Sequence, residues 1–223
     1  MTASKREAAK LAVAYYREIS KLENERFLAP VISADELSTS VLRNGADPEQ
    51  VYTRPFVDLR TALSNGSTMS DAIEKGAWRA QDLARTEVQL ARRGAGLRAR
   101  GTNNNIVGYL RVLSGSENCA LCYVASTQRY RKGDLLPIHP GCDCGEMPIY
   151  GKTDVGQVID QERLDATHES IAERFGISDR SARAIDYSKI AVRQHGELGP
   201  VLTVADQKFT GPNDLPPART WGN

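Results

Sequence analysis

No apolar run in this 223-residue chain approaches the roughly 18 residues that a membrane-spanning helix needs. Met1 to Arg26 is interrupted by charge throughout and has no signal-peptide core, so the expectation is a chain that folds in a cytoplasm. Internal repeats and low-complexity tracts are also missing. No nucleophile elbow, P-loop, H-E-x-x-H or G-x-G-x-x-G segment occurs, which removes the usual sequence grounds for assigning a reaction. A net charge of +1 points to no partner for the chain as a whole. Histidine and cysteine are scarce, at three and four residues. Their placement is what stands out: every cysteine and one histidine fall between residues 119 and 144.

Cys119, Cys122, His139, Cys142 and Cys144 follow the pattern C-x2-C, sixteen residues, H-x2-C, one residue, C. Two tight pairs of soft ligands separated by a hairpin-sized loop suit a tetrahedral Zn2+ site. Each pair grips the ion from one turn, so the metal closes the loop in place of a large core. Cytoplasmic thiols stay reduced, which favours metal over the alternative of two disulfides. Five candidates compete for four positions, and the set stays open. Four thiolate or imidazole ligands leave no position for water, so the Zn2+ is expected to be structural and not catalytic. Glu146 lies near enough in sequence to serve as a general base, but a closed site gives it nothing to activate. A base deaminase would carry H-x-E before its C-x-x-C, and this chain does not.

Around that stretch the sequence predicts a helix over residues 3–28, with Leu11, Tyr15, Ile19 and Leu22 as its apolar stripe. Asn44-Gly45, Asp47-Pro48 and Asn65-Gly66 break residues 33–65 into short helices, one with Phe56, Leu59 and Leu63 on its face. Thr68 with Asp71 resembles a capping box opening a long helix from about Ser70 to Arg93, ended by Gly94 and Gly96. Its expected buried stripe is Ile73, Ala77, Ala80, Ala84, Val88 and Ala91, small enough for a neighbouring helix to approach closely. Ile106–Leu113 reads as a strand, Tyr130–Ile138 as a hairpin turning at Gly133-Asp134, and Met147–Tyr150 as a last strand. Helices over 157–175 and 178–193 follow. Short strands at 195–204 and 207–210 come next, then an extended proline-bearing tail from Asn213. The expected class is α+β: a helical region over 1–100, a small β-hairpin zinc-knuckle module over 101–152, and mixed helices and short strands over 153–223.

Charge is unevenly spread. Residues 76–113 hold seven arginines against two acids, whereas residues 153–223 hold eight basic residues against eleven acids. Arg79, Arg85, Arg92, Arg93, Arg98 and Arg100 make the long helix and its tail basic. They are either a solvated face balanced elsewhere or a contact for nucleic acid or an acidic partner. No aromatic residues interleave with them as single-strand stacking requires, so base readout is not expected.

The order of segments resembles the phage Mu F-like minor head (minor capsid) proteins. The matching residues are Ala84-Arg85-Thr86-Glu87 in a long helix and Tyr109-Leu110-Arg111-Val112-Leu113. Cys119-x-x-Cys122, a hairpin, His139-Pro140-x-Cys142-x-Cys144 and Pro148 follow. The match covers roughly residues 50–150. It departs at Asp143, where that family often has arginine. The resemblance implies a low-copy structural component of a tailed-phage virion, assembled in the host cytoplasm and sitting inside the head near the portal. It would assist head assembly or genome packaging and ejection. Implied partners are the portal, other head proteins and packaged double-stranded DNA bound without sequence preference. No membrane, small-molecule substrate or enzyme activity is implied.

The rival reading is a helix-turn-helix DNA-binding protein with a structural zinc site. Residues 171–182 place Ala172, then Gly176, then a helix opened by Ser178. The acidic surroundings oppose it, because attraction to phosphate supplies most of such binding.

Overall fold

The computed structural model describes residues 2–113, 122, 125–138, 144–154, 156, 162, 165 and 190–204. The elements are α1 (Thr2–Leu22), a 3-10 turn (Asp35–Leu37), α2 (Thr39–Leu42), α3 (Pro48–Ser64), α4 (Met69–Thr102), β1 (Ile106–Val112), β2 (Arg129–Arg131), β3 (Gly145–Tyr150), β4 (Ile190–His195) and β5 (Gly199–Val204). These residues form an α+β protein. β1 is the centre of an antiparallel sheet in the order β2-β1-β3, and β4 and β5 form a separate hairpin. No helix among the described residues is long and apolar enough to cross a membrane.

The helix starts obey local chemistry. Asp47 caps α3 by accepting from the Glu49 amide at 3.0 Å, with Pro48 in the first turn, where its missing N–H costs nothing. The Thr68 hydroxyl accepts from the Asp71 amide at 3.2 Å and opens α4 where the capping signal placed it. The far end of α4 differs from expectation. It runs through Gly94 and Gly96 to Thr102, so neither glycine is a stop. Gly96 is instead a point of close approach: a Cβ there would lie 1.4 Å from the Glu146 Oε1. Beyond Thr102 the Asn103 side chain donates to the Ala99 and Leu28 carbonyls, satisfying one open carbonyl of the last turn.

The phase of both long helices is also shifted. On α1 the buried residues are Lys5, Ala9, Tyr16 and Ser20, while Leu11 and Leu22 of the expected stripe are 69% and 77% exposed. On α4, Ile73 and Ala77 are exposed, and the buried face includes Ala72, Gly76, Leu83, Leu90, Ala91, Ala95 and Ala99. Hydrophobicity alone chose the wrong side because polar residues with fixed partners occupy the buried one. Ala91 and Ala95 meet Ala9 and Leu37, and Ala99 meets Tyr16, Ile106 and Tyr150. Small side chains four residues apart thus let α1 approach α4. A third cluster of Leu90, Tyr109, Leu136, Ile138, Leu198 and Val201 joins α4 to both β units. In α3 the helix continues through Pro55, and its buried residues are Val51 and Ala62, with Phe56 60% exposed.

The strands depart from the expected hairpin. β2 pairs with β1, but after the turn at Lys132–Asp134 the chain does not return along β2. Ile138 instead bridges Val201 of β5 in parallel. The C-terminal hairpin comes earlier than expected, with Ile190 opposite Val204 and His195 opposite Gly199. Residues 190–193 are therefore strand, not the end of a helix. Two features explain the turn. Gly199 takes φ +69°, and the His195 Nδ1 accepts from the amides of Glu197 and Leu198 at 3.2 and 3.1 Å. The expected helix over 157–175, the segment 171–182 and the tail from Asn213 lie outside the described residues, apart from isolated positions.

Glu87 ties the helical part together. Fully buried, it receives Lys5 Nζ at 2.9 Å, the Thr39 hydroxyl at 2.9 Å and Arg43 Nε at 2.5 Å. Arg43 reaches on to Glu197, which Arg54 also grips through two bonds at 2.9 and 2.6 Å. Burial pushes the Glu87 carboxyl up, but the Arg43, Lys5 and Thr39 donors outweigh it and hold the group below the ordinary range. Glu197 is likewise lowered, its Arg54 and Arg43 partners outweighing burial. A carboxylate whose pKa falls on folding contributes stability that is complete above the unfolded value of about 4.3 and is lost as pH drops through the folded one. Urea midpoints are therefore expected to fall below about pH 4. In Glu87→Gln that fall should be shallower, on a lower plateau at pH 7. An equally steep acid limb in the variant would place the titrating groups elsewhere.

Candidate metal centre

β1 alternates, so Tyr109 and Arg111 share one face of the central strand and both are fully buried. Opposite Tyr109 on β2 stands Tyr130, and opposite Arg111 on β3 stands Glu146. Cys144 lies two residues before Glu146, just ahead of β3, and is 2% exposed; Cys122 is 1% exposed.

The Arg111 guanidinium organises this face. Its Nη1 donates to the Cys122 Sγ at 3.7 Å and its Nη2 to the Pro137 carbonyl. It also hydrogen-bonds to the Tyr130 hydroxyl, which in turn donates to the Ala125 carbonyl at 2.9 Å. Burial is the main cause raising the Tyr130 pKa. The Arg111 charge and bond oppose that rise, and the sulfurs of Cys122 and Cys144 add to it. One cysteine from each sequence pair therefore sits within electrostatic reach of the same phenol.

Beside this face lies a second buried cluster. Arg100 Nη1 pairs with Glu146 Oε1 at 2.5 Å, and the Tyr16 hydroxyl donates to the same oxygen at 3.0 Å. Arg100 also donates to the carbonyls of Lys132 and Asp134 at 3.0 and 2.8 Å and lies 3.9 Å over the Tyr109 ring. Tyr109 stacks on Tyr130 with ring centres 5.1 Å apart. Glu146 is thus an anion clamped between helix and sheet.

Of the five candidate ligands, Cys122 and Cys144 are each buried, while Cys119, His139 and Cys142 lie outside the described residues. Among the described residues no group of three or more His, Cys, Asp or Glu could hold a metal ion. Cys122 and Cys144 are sulfur donors of the type Zn2+ takes, and both are buried.

The six arginines expected to form one basic face divide. Arg93 and Arg100 are buried, and Arg93 donates to the carbonyls of Leu136, Leu198 and Pro200. They brace the sheet and the C-terminal hairpin against α4 and cannot meet DNA or a portal. Arg79 pairs with Asp58 and Asp82, and Arg98 with Glu36. Arg92 is half-buried, close to Gly145. Arg85 is exposed. The physical reason is that α4 is central and packed on several sides, so an arginine on it has several walls to reach.

Sequence reasoning missed Arg111, Tyr130 and the pairing of Arg100 with Glu146. Alternation along β1 was the available signal for Arg111: with Tyr109 facing inward, residue 111 faces inward too. Comparison with known proteins finds no matching family model, no matching curated protein and no matching solved structure.

Proposed function

We propose that this chain is a structural minor head protein of a tailed bacteriophage, held inside the head near the portal and serving head assembly or genome packaging and ejection. One observation carries the reading. The chain runs from a long helix bearing Arg85-Thr86-Glu87, through a strand, to two cysteine pairs, and one cysteine of each pair, Cys122 and Cys144, is buried. Four of Cys119, Cys122, His139, Cys142 and Cys144 would hold Zn2+, with Cys122 and Cys144 as members from opposite ends of the loop. The ion would supply a cross-link and no bound water, so the role is non-enzymatic and has no small-molecule substrate.

The partners are the portal and other head proteins. Any contact with packaged double-stranded DNA falls to the exposed side of α4 around Arg85 and Arg98, would carry no sequence preference, and would weaken with salt. Quantitative mass spectrometry of purified particles, before and after genome release, tests the reading. The protein should be present at far lower copy number than the major shell protein. Its absence from intact particles would overturn the assignment.

A further inference from the structure

We propose that the groove between α1 and the segment 29–37 is a docking site for an acidic peptide of a partner protein, bound in extended form. The inference stands on residues of the helical part alone and depends on neither the zinc nor the virion reading.

The groove has a volume of about 430 Å3, a size that suits a ligand's side chains and not a folded domain. Its floor is apolar: Ala9 and Leu37 are buried, and Val13 and Ile32 pack against them. Its helix wall is basic. Arg6, Lys10 and Arg17 line it, and no acid among the described residues does. Lys10 pairs with Glu7, but Arg6 and Arg17 are exposed and pair with no acid among the described residues. The facing wall supplies unused main chain. From Ala29 to Ile32 the backbone is neither helix nor strand and makes no backbone hydrogen bond to a described residue.

Each part of the groove selects a different part of the occupant. Open N–H and C=O groups suit a second main chain, as in strand addition. The apolar floor takes aliphatic side chains, and the two arginines take carboxylates. Arg6 and Arg17 lie eleven residues apart on one helix, roughly 16 Å along its axis. An extended chain covers that distance in about five residues. The expected motif is therefore two acids about five residues apart with apolar residues between them. Duplex DNA would use the cations and leave the apolar floor unfilled. A fatty acid would use the floor but brings one carboxylate to two separated arginines.

The test uses the full chain and a displayed library of random short peptides, with counter-selection on the double variant Arg6→Glu with Arg17→Glu. Selected sequences should carry acids on both sides of apolar residues. Fluorescence anisotropy of the labelled consensus peptide then gives affinities. The double variant should bind about 10-fold or more weakly, through loss of two exposed ion pairs and the repulsion that replaces them. Arg60→Glu with Arg131→Glu makes the same change in net charge at exposed sites away from the groove and should bind as wild type does. Ala14 lines the groove and is exposed, so Ala14→Trp should fill it without disturbing the core and should also weaken binding. Failure to enrich acidic peptides overturns the proposal. So does undiminished binding by Ala14→Trp, or an equal loss in Arg60→Glu with Arg131→Glu. Tighter binding of a short DNA duplex or of dodecanoate than of the consensus peptide, lost in the groove variants, gives the groove to that ligand and overturns it as well.

Discussion

Arg100→Met is expected to lower the free energy of unfolding by about 3–5 kcal/mol, the usual cost of removing one partner from a buried ion pair. The figure follows from what the substitution leaves behind. Glu146 stays in place, 6% exposed, with only the Tyr16 hydroxyl on Oε1 and no hydrogen-bond partner for Oε2 among the described residues. Arg100 also gives up two carbonyl contacts and its stacking on Tyr109. Domain stabilities are typically about 5–15 kcal/mol, so the single variant should stand close to the folding limit. The double variant Arg100→Met with Glu146→Leu removes the stranded anion and should recover part of the loss, because an apolar pair can replace a buried ionic one at little cost. Urea unfolding of the four proteins in this double-mutant cycle gives the coupling. A loss below about 1 kcal/mol in Arg100→Met, the size of an exposed pair, would show that the pair does not brace the helix against the sheet.

Two glycines two residues apart in α4 should respond to alanine with opposite signs. In a helix interior alanine is favoured over glycine by about 0.8–1.0 kcal/mol. Gly94→Ala should keep most of that gain, since the nearest atom to its new Cβ is a Leu42 methyl at 4.0 Å. Gly96→Ala should instead lose about 3 kcal/mol or more, because its Cβ would lie 1.4 Å from the Glu146 Oε1 and 2.6 Å from the carboxyl carbon. A free glutamate would swing aside at small cost. This one is clamped by Arg100 and Tyr16, so moving it breaks the pair discussed above. Thermal melts of the two variants separate the cases. Equal shifts in the same direction would mean that the close approach at Gly96 is not a constraint.

The same residues mark the limit of what could be read in advance. The helix start at Thr68 was legible because a cap is a matter of two to four neighbouring residues, whereas Asp47-Pro48, which caps α3, read only as a break between short helices. β1 and β3 were legible from β-branched and aromatic content. Helix phase was not, since the apolar stripe of Leu11 and Leu22 outscored a face containing Lys5 and Ser20. Lys5 is buried because Glu87, 82 residues away, receives it. Ser20 is buried beside the Tyr150 hydroxyl, 130 residues away. The six arginines of α4 read as one basic face for a similar reason: charge can be counted along a chain, but the carbonyls and carboxylates that absorb it come from other elements.

What the amino-acid order settles unaided is local: a capped helix, a strand on either side of the cysteine stretch, and cysteines closely paired along the chain. What only the folded chain decides is which polar groups are inside. Burying a charge is unfavourable until its partner arrives from elsewhere, so Glu87, Arg100, Arg111 and Glu146 take their places from contacts between elements and from no pattern within one.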